Sequence, residues 1–247
     1  MWAVAQIEMK KQLHDKSLFF WSLVLPIVFT ILFIAIFASS IPDDQGAVVN
    51  QTITGFSVFF SVFIIITMTV SFVKDKDRGF VARLASTPLP PNRYITGKWL
   101  PFILIVFIQL ITMSLVGMIG YGMTIEHPIY YYLLIFSLAI MMTSWGIAVA
   151  VFSKTENMGI VVTQIVALGG AILSGLWMPY EILPDMVQTV GKLLPQYWAH
   201  QSLLYSVSGM SNVDGIGLTM MIILGYTAVG FIIAIAGYRR FLRHSKS

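Results

Sequence analysis

The sequence of 247 residues contains no cysteine and few charged residues. Without cysteine, the chain has no disulfide, no thiolate nucleophile and no cysteine-ligated zinc or iron-sulfur site. Charged residues make up 11% of the chain, compared with about 25% in an ordinary soluble domain. Because 57% of the residues are also hydrophobic, the composition argues against a soluble domain and indicates a membrane protein.

Aspartate, glutamate, lysine, arginine and histidine are all absent from six windows of the sequence. The windows are Leu18 to Ala38, Ile53 to Val73, Leu100 to Tyr121, Ile129 to Phe152, Met158 to Trp177 and Ile216 to Tyr238. Each has roughly the 20 residues that a helix needs to cross a bilayer. Since backbone polar groups must be paired in lipid, we predict an all-α membrane protein with six transmembrane helices.

Lysine and arginine are concentrated in alternate connecting segments. Fourteen of the fifteen lie in residues 1–17, 74–99 and 153–157 and after Tyr238, and the remaining one is Lys192. The positive-inside rule therefore predicts that both termini are cytoplasmic. With the acids included, the predicted cytoplasmic face carries +9 and the outer face −5. The net charge of +4 thus reflects topology rather than nucleic-acid binding.

The first window is longer than the apolar run of a cleaved signal peptide, which spans about 7–15 residues. We therefore expect this window to be retained as a transmembrane helix. The sequence shows no internal repeat and no low-complexity linker, so residues 1–247 are predicted to form a single membrane domain.

Apolar residues recur at helical spacing before the first window. They are Trp2, Ala5, Met9 and Leu13, whereas Glu8, Lys11 and Asp15 fall on another side of the same helix. This pattern predicts an interfacial helix on the cytoplasmic membrane surface, with its lysines near anionic head groups. The alternative is a short, solvated extension.

The largest predicted cytoplasmic loop, residues 74–99, has a pattern that a simple connector does not need. Asp75 and Asp77 suit the first turn of a helix, where carboxylates interact favourably with the helix dipole. Phe80, Val81 and Leu84 then provide an apolar flank, and prolines at 88, 90 and 91 end the helix. A short basic amphipathic helix of this kind suits docking into a cytoplasmic partner. The alternative is a charged topology anchor.

The longest predicted outer segment, residues 178–215, contains two apolar stretches that are too short to cross a bilayer. One stretch runs from Leu183 to Leu193 and is ended by Pro195, and the other runs from Tyr197 to Val207. We expect a re-entrant or interfacial helical hairpin, with Trp and Tyr at head-group depth. The hairpin either caps the exit of a transport pathway or acts as an interface anchor.

Several kinds of chemistry have no residues to support them. The six windows contain no ionisable side chain for a proton relay or sodium site, and all four histidines lie outside them. The phosphate-binding pattern ending in Gly-Lys-Ser/Thr fails at Lys98, where Trp99 follows, and at Lys192, where Leu193 follows. The nucleophile pattern Gly-x-Ser-x-Gly is absent. We therefore expect no enzyme activity, metal or cofactor in this chain.

The polar side chains inside the windows are neutral. They include Thr67, Thr69, Ser71, Gln109, Thr112, Thr143, Ser144, Thr163 and Gln164. Hydrogen bonds between helices are the default interpretation of such residues, and the lining of a substrate path is the alternative. Thr67, Gln109, Thr143 and Gln164 are the candidates for either role.

Together, these features make the chain similar to the permease subunit of a type-2 ATP-binding-cassette (ABC) exporter. The resemblance is most specific in one stretch, in which acidic, basic, glycine, leucine, threonine-proline and glycine-lysine residues follow in the family's order. In this chain they are Asp75, Asp77, Arg78, Gly79, Arg83, Leu84, Thr87, Pro88, Gly97 and Lys98, with Asp where the family more often has Glu. A second match comprises Gly175, Pro179, Glu181, Pro184, Pro195 and Tyr197.

The resemblance implies an energy source that the residues themselves do not provide. It implies that the loop after the second span, including Phe80, forms a coupling helix that docks on a separate ATPase subunit, and that two permeases pair with two ATPases. The implied function is export of an amphiphilic or apolar compound through the plasma membrane. A non-transporting sensor or assembly subunit and an ion-coupled carrier remain the alternatives.

Overall fold

The fold is taken from a computed structural model, which describes residues 2–38, 45–79, 91–209 and 214–244. Within these ranges the chain is helical, with no β-strand. The α-helices are α1 (Trp2–Leu13), α2 (Lys16–Phe19), α3 (Leu25–Ala38), α4 (Gln45–Ser61), α5 (Ile64–Asp77), α6 (Pro91–Leu115), α7 (Pro128–Phe152), α8 (Glu156–Leu173), α9 (Asp185–Gly191), α10 (Pro195–Ser208) and α11 (Asp214–His244). The predicted all-α fold is confirmed.

In the described part of the chain, six helical segments are long and apolar enough to cross a membrane, as predicted. They are Phe20–Ala38, Gln45–Asp77, Arg93–Gly120, Pro128–Phe152, Glu156–Leu173 and Gly217–Gly237, here called spans 1 to 6. Spans 2 and 4 form the core, with 78% and 72% of their most apolar window buried, compared with 17% in span 1 and 28% in spans 5 and 6. Spans 1, 5 and 6 therefore present most of their apolar surface outward.

Span 2 continues beyond its predicted end at Val73, and this corrects the interpretation of residues 74–99. Nothing between Val73 and Asp77 breaks a helix, so α5 continues to Asp77, and Gly79, whose φ of +66° favours glycine, follows the cap at Arg78. Asp75 and Asp77 thus lie in the last turn of a helix and not in the first turn of a new one. On the other side, α6 begins at Pro91, because proline suits the first position of a helix. Both helices thus extend further than predicted at this point, and residues 80–90 between them lie outside the described residues.

The N-terminal helix forms as predicted, but a different face is buried. α1 packs against α6 and buries Ala5, Glu8 and Gln12, which follow each other at spacings of three and four residues. Trp2 and Leu13 from the predicted apolar face are 69% and 74% exposed. The polar face turns inward because it meets charged groups of spans 2 and 3, as described below.

The segment between spans 5 and 6 contains a 3₁₀ turn (Tyr180–Ile182), α9 and α10, and we call residues 174–209 the hairpin segment. Its start packs closely against α4. A Cβ at Gly55 would lie 1.8 Å from the backbone oxygen of Leu176, so only glycine fits there. The adjacent Trp177 packs edge-on against Phe59, with ring centroids 5.1 Å apart. These contacts fix the hairpin segment against the core helix of span 2.

Candidate functional site

Four charged side chains from α1, α5 and α6 meet at the ends of spans 2 and 3, and we call Glu8, Lys11, Asp75 and Lys98 the ion-pair cluster. The Lys98 ammonium makes a short contact with Asp75 Oδ2 and lies 3.9 Å from Glu8 Oε2. Lys11 Nζ lies 3.2 Å from Asp75 Oδ1 and 3.9 Å from Glu8 Oε2. Two carboxylates therefore face two ammonium groups, and the cluster is electrically balanced.

Neutral groups satisfy the remaining hydrogen-bonding capacity of the ion-pair cluster. Ser71 Oγ and Gln12 Nε2 each donate to Glu8 Oε1 at 2.6 Å. The Tyr94 hydroxyl donates to Asp75 Oδ2 at 3.2 Å, and Lys98 donates to the Ser71 backbone oxygen at 3.1 Å. Such networks are stable when every buried member is paired.

Lys98 lies deepest in this network, with 1% of its side chain exposed. Its ammonium also lies 4.6 Å from the centroid of the Phe72 ring, which adds a cation–π contact. A buried ammonium is costly unless it is paired, so Asp75 and Glu8 are required to keep Lys98 inside. The pairing joins α5 to α6 and both to α1. The cluster therefore fixes the distance between the two helix ends that flank residues 80–90.

The predicted coupling residues divide between described and undescribed parts of the chain. Asp75 belongs to the ion-pair cluster, whereas Asp77 and Arg78 are exposed at the end of α5 and Gly79 terminates the helix. Phe80, Arg83, Leu84, Thr87 and Pro88 lie outside the described residues. The structure thus brings together the two ends of the motif, Asp75 and Lys98, which are separated by 23 positions in the sequence.

Glu8, Lys11 and Gln12 are functional candidates that the sequence reasoning missed. The apolar residues of α1 suggested that its charged side faces solvent or lipid head groups, but Lys11 pairs with Asp75 and Glu8 is 5% exposed. The available signal was the spacing of Ala5, Glu8 and Gln12, which places a carboxylate and an amide on one face beside a small residue. Such a face is suited to burial against a cationic partner.

The four candidate pathway or helix-contact residues occupy different environments. Thr143 is fully buried and accepts a hydrogen bond from Trp99 Nε1 at 2.8 Å, which links spans 3 and 4. Gln109 is 2% exposed, and its Nε2 has no partner among the described residues. Thr67 is half-buried, and Gln164 is exposed near the middle of span 5. Thr143 therefore makes a contact between helices, and the four residues do not share one lining.

The residues predicted for the outer hairpin organise the hairpin segment. Pro184 precedes α9 and Pro195 begins α10, so both prolines mark helix starts. The Tyr197 ring packs against Tyr180, with centroids 4.4 Å apart, and the Tyr180 hydroxyl donates to the backbone oxygen of Gln188. Pro179 and Glu181 lie at the 3₁₀ turn. The two short helices are therefore held to each other and to the preceding turn.

Three buried polar side chains lie where the hairpin segment meets spans 2 and 5, and we call Ser174, Gln196 and His200 the hairpin cluster. Ser174 and His200 are 0% exposed and Gln196 is 5% exposed. Ser174 Oγ and Gln196 Oε1 have no hydrogen-bond partner among the described residues, and the two ring nitrogens of His200 have none there beyond the Gln51 backbone. Burial lowers the pKa of His200 from 6.5 to about 4, and a hydrogen bond with the Gln51 backbone raises it by less. His200 is therefore neutral at pH 7.

The comparisons with known proteins agree with this architecture. The sequence model of the family described as ABC-2 type transporter matches residues 1–208. A Bacillus subtilis protein named as a transport permease, YvfS, is 31% identical over 199 residues, which cover 77% of this chain and 78% of YvfS. The linearmycin resistance permease protein LnrN of Bacillus subtilis is 21% identical over 198 residues, which cover 79% of this chain and 51% of LnrN.

A third relative is ABC transporter G family member 20 of Dictyostelium discoideum, which is 28% identical over 128 residues. That match covers 51% of this chain and 18% of the relative. The chain thus spans most of YvfS, about half of LnrN and a small part of the Dictyostelium protein. From the family match and the similarity to YvfS, the chain belongs to the ABC-2 type transporter family of membrane permeases.

Proposed function

We propose that this chain is the membrane-spanning subunit of an exporter whose ATP is hydrolysed by a separate ATPase subunit. The ATPase is expected to dock on residues 75–88 and to move the spans through them. The cargo is an amphiphilic or apolar compound, because the six uncharged windows within the spans offer neutral and apolar side chains rather than fixed charge. The name of LnrN as a linearmycin resistance permease supports an antibiotic-like cargo.

The observation that carries this proposal is the ion pair between Asp75 and Lys98. It holds together the helix ends on either side of residues 80–90, and Lys11 and Glu8 fasten the same ends to α1. A force applied to residues 80–90 therefore acts on spans 2 and 3 as one body. Span 4 packs on span 2, so the motion also reaches the centre of the bundle.

A second permease copy is proposed to pack along span 5. Apolar residues of α8 are exposed at spacings of 3, 4, 3 and 4, the pattern of a coiled-coil seam. They are Met158, Val161, Ile165, Leu168 and Ile172, with exposures between 43% and 67%. Gln164 is exposed beside this seam, and a glutamine at mid-span is costly in lipid unless another helix provides a hydrogen bond.

The proposed orientation places the ion-pair cluster at the cytoplasmic side of the plasma membrane. It rests on the distribution of lysine and arginine, which predicts that both termini and residues 80–90 are inside. The hairpin segment then lies on the outer side as a re-entrant hairpin. We propose that residues 1–247 act as a single membrane domain.

Co-expression of the chain with the ATPase encoded beside its gene tests the proposal. We expect a stable complex in which the transported compound stimulates ATP hydrolysis. Arg83→Asp or Leu84→Asp is expected to abolish complex formation. Lys154→Asp, in residues 153–157, which are also predicted to be cytoplasmic, should leave the complex intact. If Arg83→Asp and Leu84→Asp both retain the complex and coupled transport, the docking role of residues 75–88 is wrong.

Two outcomes of the same experiment favour other functions. A complex that forms but moves no compound indicates a sensor or assembly subunit. Transport that continues without ATP and stops when the proton gradient is removed indicates an ion-coupled carrier. Both outcomes overturn the proposed export function.

A further inference from the structure

The hairpin cluster brings together several buried polar atoms that lack hydrogen-bond partners among the described residues. Most buried polar atoms in folded proteins are hydrogen-bonded, and each exception calls for an explanation. Among the described residues ten buried side-chain atoms lack such a partner, and five of them belong to the hairpin segment: the four of the hairpin cluster and Trp177 Nε1. An unsatisfied buried polar atom is unfavourable, so a group of them indicates a place where another polar molecule binds.

Several contacts place the three side chains in one region. A Cβ at Gly170 would lie 3.0 Å from Gln196 Nε2, and Ser174 lies one turn beyond Gly170 in the chain. His200 lies one turn after Gln196 in α10, and the Gln51 backbone forms a hydrogen bond with its ring. Gln51 in turn donates through Nε2 to the backbone oxygens of Gly175 and Met178, at 2.9 and 3.0 Å. The cluster therefore lies among α4, α8 and α10.

The chemistry of the free atoms defines the ligand. Ser174 Oγ can donate and accept, Gln196 Oε1 accepts, and a neutral imidazole offers one donor and one acceptor. None of the three side chains is charged at pH 7, so the cluster offers no counter-ion to a charged head group. A hydroxyl group, which both donates and accepts, matches this set of atoms.

Access to the cluster requires movement of the hairpin segment, since His200 is fully buried. The segment is bounded by two glycines with left-handed backbone conformations, Gly175 with φ +64° and Gly209 with φ +67°. Rotation at Gly209 would lift α10 from α4 while Leu176 and Trp177 stay packed on α4, and it would expose the cluster to the space between spans 2 and 5. Closing the segment again would bury any group that occupies it.

We propose that the hairpin cluster binds a neutral hydroxyl group of the exported amphiphile, so that the favoured cargo has an uncharged, hydroxyl-bearing head group. This inference rests on the proposed export function and specifies its substrate class. The hydroxyl replaces the missing partners of Ser174, Gln196 and His200 while the hairpin segment is displaced. A charged head group with the same apolar tail is disfavoured, because the site has no opposite charge to compensate for its desolvation.

The test uses the complex of this chain with its ATPase in nanodiscs and three probes with the same ten-carbon tail. The probes are decyl glucoside, decyl sulfate and decyltrimethylammonium. We expect decyl glucoside to stimulate ATP hydrolysis and the two charged probes to have little effect. In His200→Leu the half-stimulating concentration of decyl glucoside should rise about tenfold, equivalent to the loss of a hydrogen bond. Each variant is compared with its own basal rate.

Three further variants keep the test decisive. His200→Gln preserves a donor and an acceptor and should retain most of the response, and Ser174→Ala should weaken it with a minimal change in volume. His127→Leu is the matched control, because His127 is exposed and stacks on Tyr205 outside the cluster. Ser174→Ala also allows the test to proceed if His200→Leu fails to fold.

The outcomes separate this inference from the function on which it rests. If the ATPase does not bind the chain, the proposed function fails. A complex that forms and hydrolyses ATP leaves the proposed function standing. The hairpin inference alone is then overturned if the charged probes stimulate ATP hydrolysis as much as decyl glucoside does, or if none of the three probes stimulates it. If His200→Leu lowers the melting midpoint and leaves the glucoside response unchanged, the cluster holds an ordered water and the inference is also overturned.

Discussion

The ion-pair cluster and the hairpin cluster are both buried and polar, yet they differ in how their atoms are satisfied. In the ion-pair cluster, Lys98 and Glu8 are almost fully buried and every charge has an opposite charge within 4 Å. In the hairpin cluster, His200 is equally buried but neutral, and apart from the Gln51 backbone its ring nitrogens have no hydrogen-bond partner among the described residues.

This difference indicates different mechanical roles for the two regions. A fully paired network is costly to separate, because each partner that leaves exposes the other as an unpaired buried charge. The ion-pair cluster is therefore suited to transmitting force without deforming. An unsatisfied neutral cluster is stabilised when water or a ligand reaches it, so the hairpin segment is suited to opening. One region acts as a rigid connection and the other as a movable cover.

Removal of Lys98 is the strongest way to test the rigid connection. We expect Lys98→Met to lower the free energy of unfolding by about 3–5 kcal/mol, because Asp75 and Glu8 are left with Lys11 alone. The measurement is chemical unfolding of the purified chain in detergent. Lys98→Met should also uncouple ATP hydrolysis from transport in the complex.

Lys74→Met is the matched control, since Lys74 is exposed one residue from Asp75 and should change stability by no more than about 0.5 kcal/mol. The double variant Asp75→Asn with Lys98→Met should be more stable than Lys98→Met alone, because it removes one of the uncompensated charges. Equal stability of Lys98→Met and Lys74→Met would contradict the structural importance of the ion-pair cluster.

The sequence predicted the helices of this protein better than their ends. The number and position of the spans followed from uncharged windows, because lipid excludes charge strongly enough to leave that signal. The same reasoning ended span 2 at Val73, where the charged residues begin. In the structure α5 continues to Asp77, since the paired charges are compatible with a helix and nothing breaks it before Gly79.

The functional clusters were less predictable for two physical reasons. The pairing of Asp75 with Lys98 depends on how α5 and α6 pack, and Glu8 joins them from a helix more than 60 positions away in the sequence. His200 was, in the sequence, only one of four histidines outside the uncharged windows, because its burial depends on how α10 packs against α4 and α8. Patterns within one helix do not carry such information, which emerges only when helices pack.

Lowering the pH should lower the free energy of unfolding through His200, which belongs to the hairpin cluster and not to the ion-pair cluster. The pKa of His200 is about 4 in the folded chain and 6.5 as an unperturbed group, so the unfolded chain binds the extra proton first. Stability from this group is therefore present above pH 6.5 and decreases as the pH falls to 4, by about 3 kcal/mol in total. The measurement is the unfolding free energy of wild type and His200→Leu between pH 7 and pH 4.

The two pH profiles should diverge below pH 6.5, because His200→Leu has lost the titrating group. His127→Leu, which changes an exposed histidine, should follow the wild type. Parallel profiles for wild type and His200→Leu would show that His200 is charged or hydrated in the folded chain.

The anchoring of the hairpin segment can be disturbed without changing either cluster. In Gly55→Ala, the added methyl group would overlap the backbone oxygen of Leu176, which lies 1.8 Å from the ideal Cβ position. We expect a loss of about 1–3 kcal/mol from this overpacking. We also expect faster modification of His200 by diethyl pyrocarbonate, measured on its peptide by mass spectrometry.

Gly46→Ala provides the control within the same helix, because a Cβ at Gly46 meets no atom within 4 Å. It should leave His200 protected and can stabilise α4 by up to about 1 kcal/mol. If Gly55→Ala leaves both stability and His200 modification unchanged, the close approach of α4 and the hairpin segment is incorrect.

Ser71→Ala separates the hydrogen bonds of the ion-pair cluster from its charges. Ser71→Ala removes the donor to Glu8 at 2.6 Å and the acceptor for Lys11 at 3.3 Å but leaves every ion pair in place. We expect a loss of about 1.5–3 kcal/mol, typical of a hydrogen bond to a charged group. Ser137→Ala should have almost no effect, because Ser137 is half-buried and its hydroxyl donates to the Leu133 backbone oxygen of its own helix. If Ser71→Ala lowers the free energy of unfolding as much as Lys98→Met does, the network depends on all its members together. If Ser71→Ala has no effect, the charges alone hold α1 to α5 and α6.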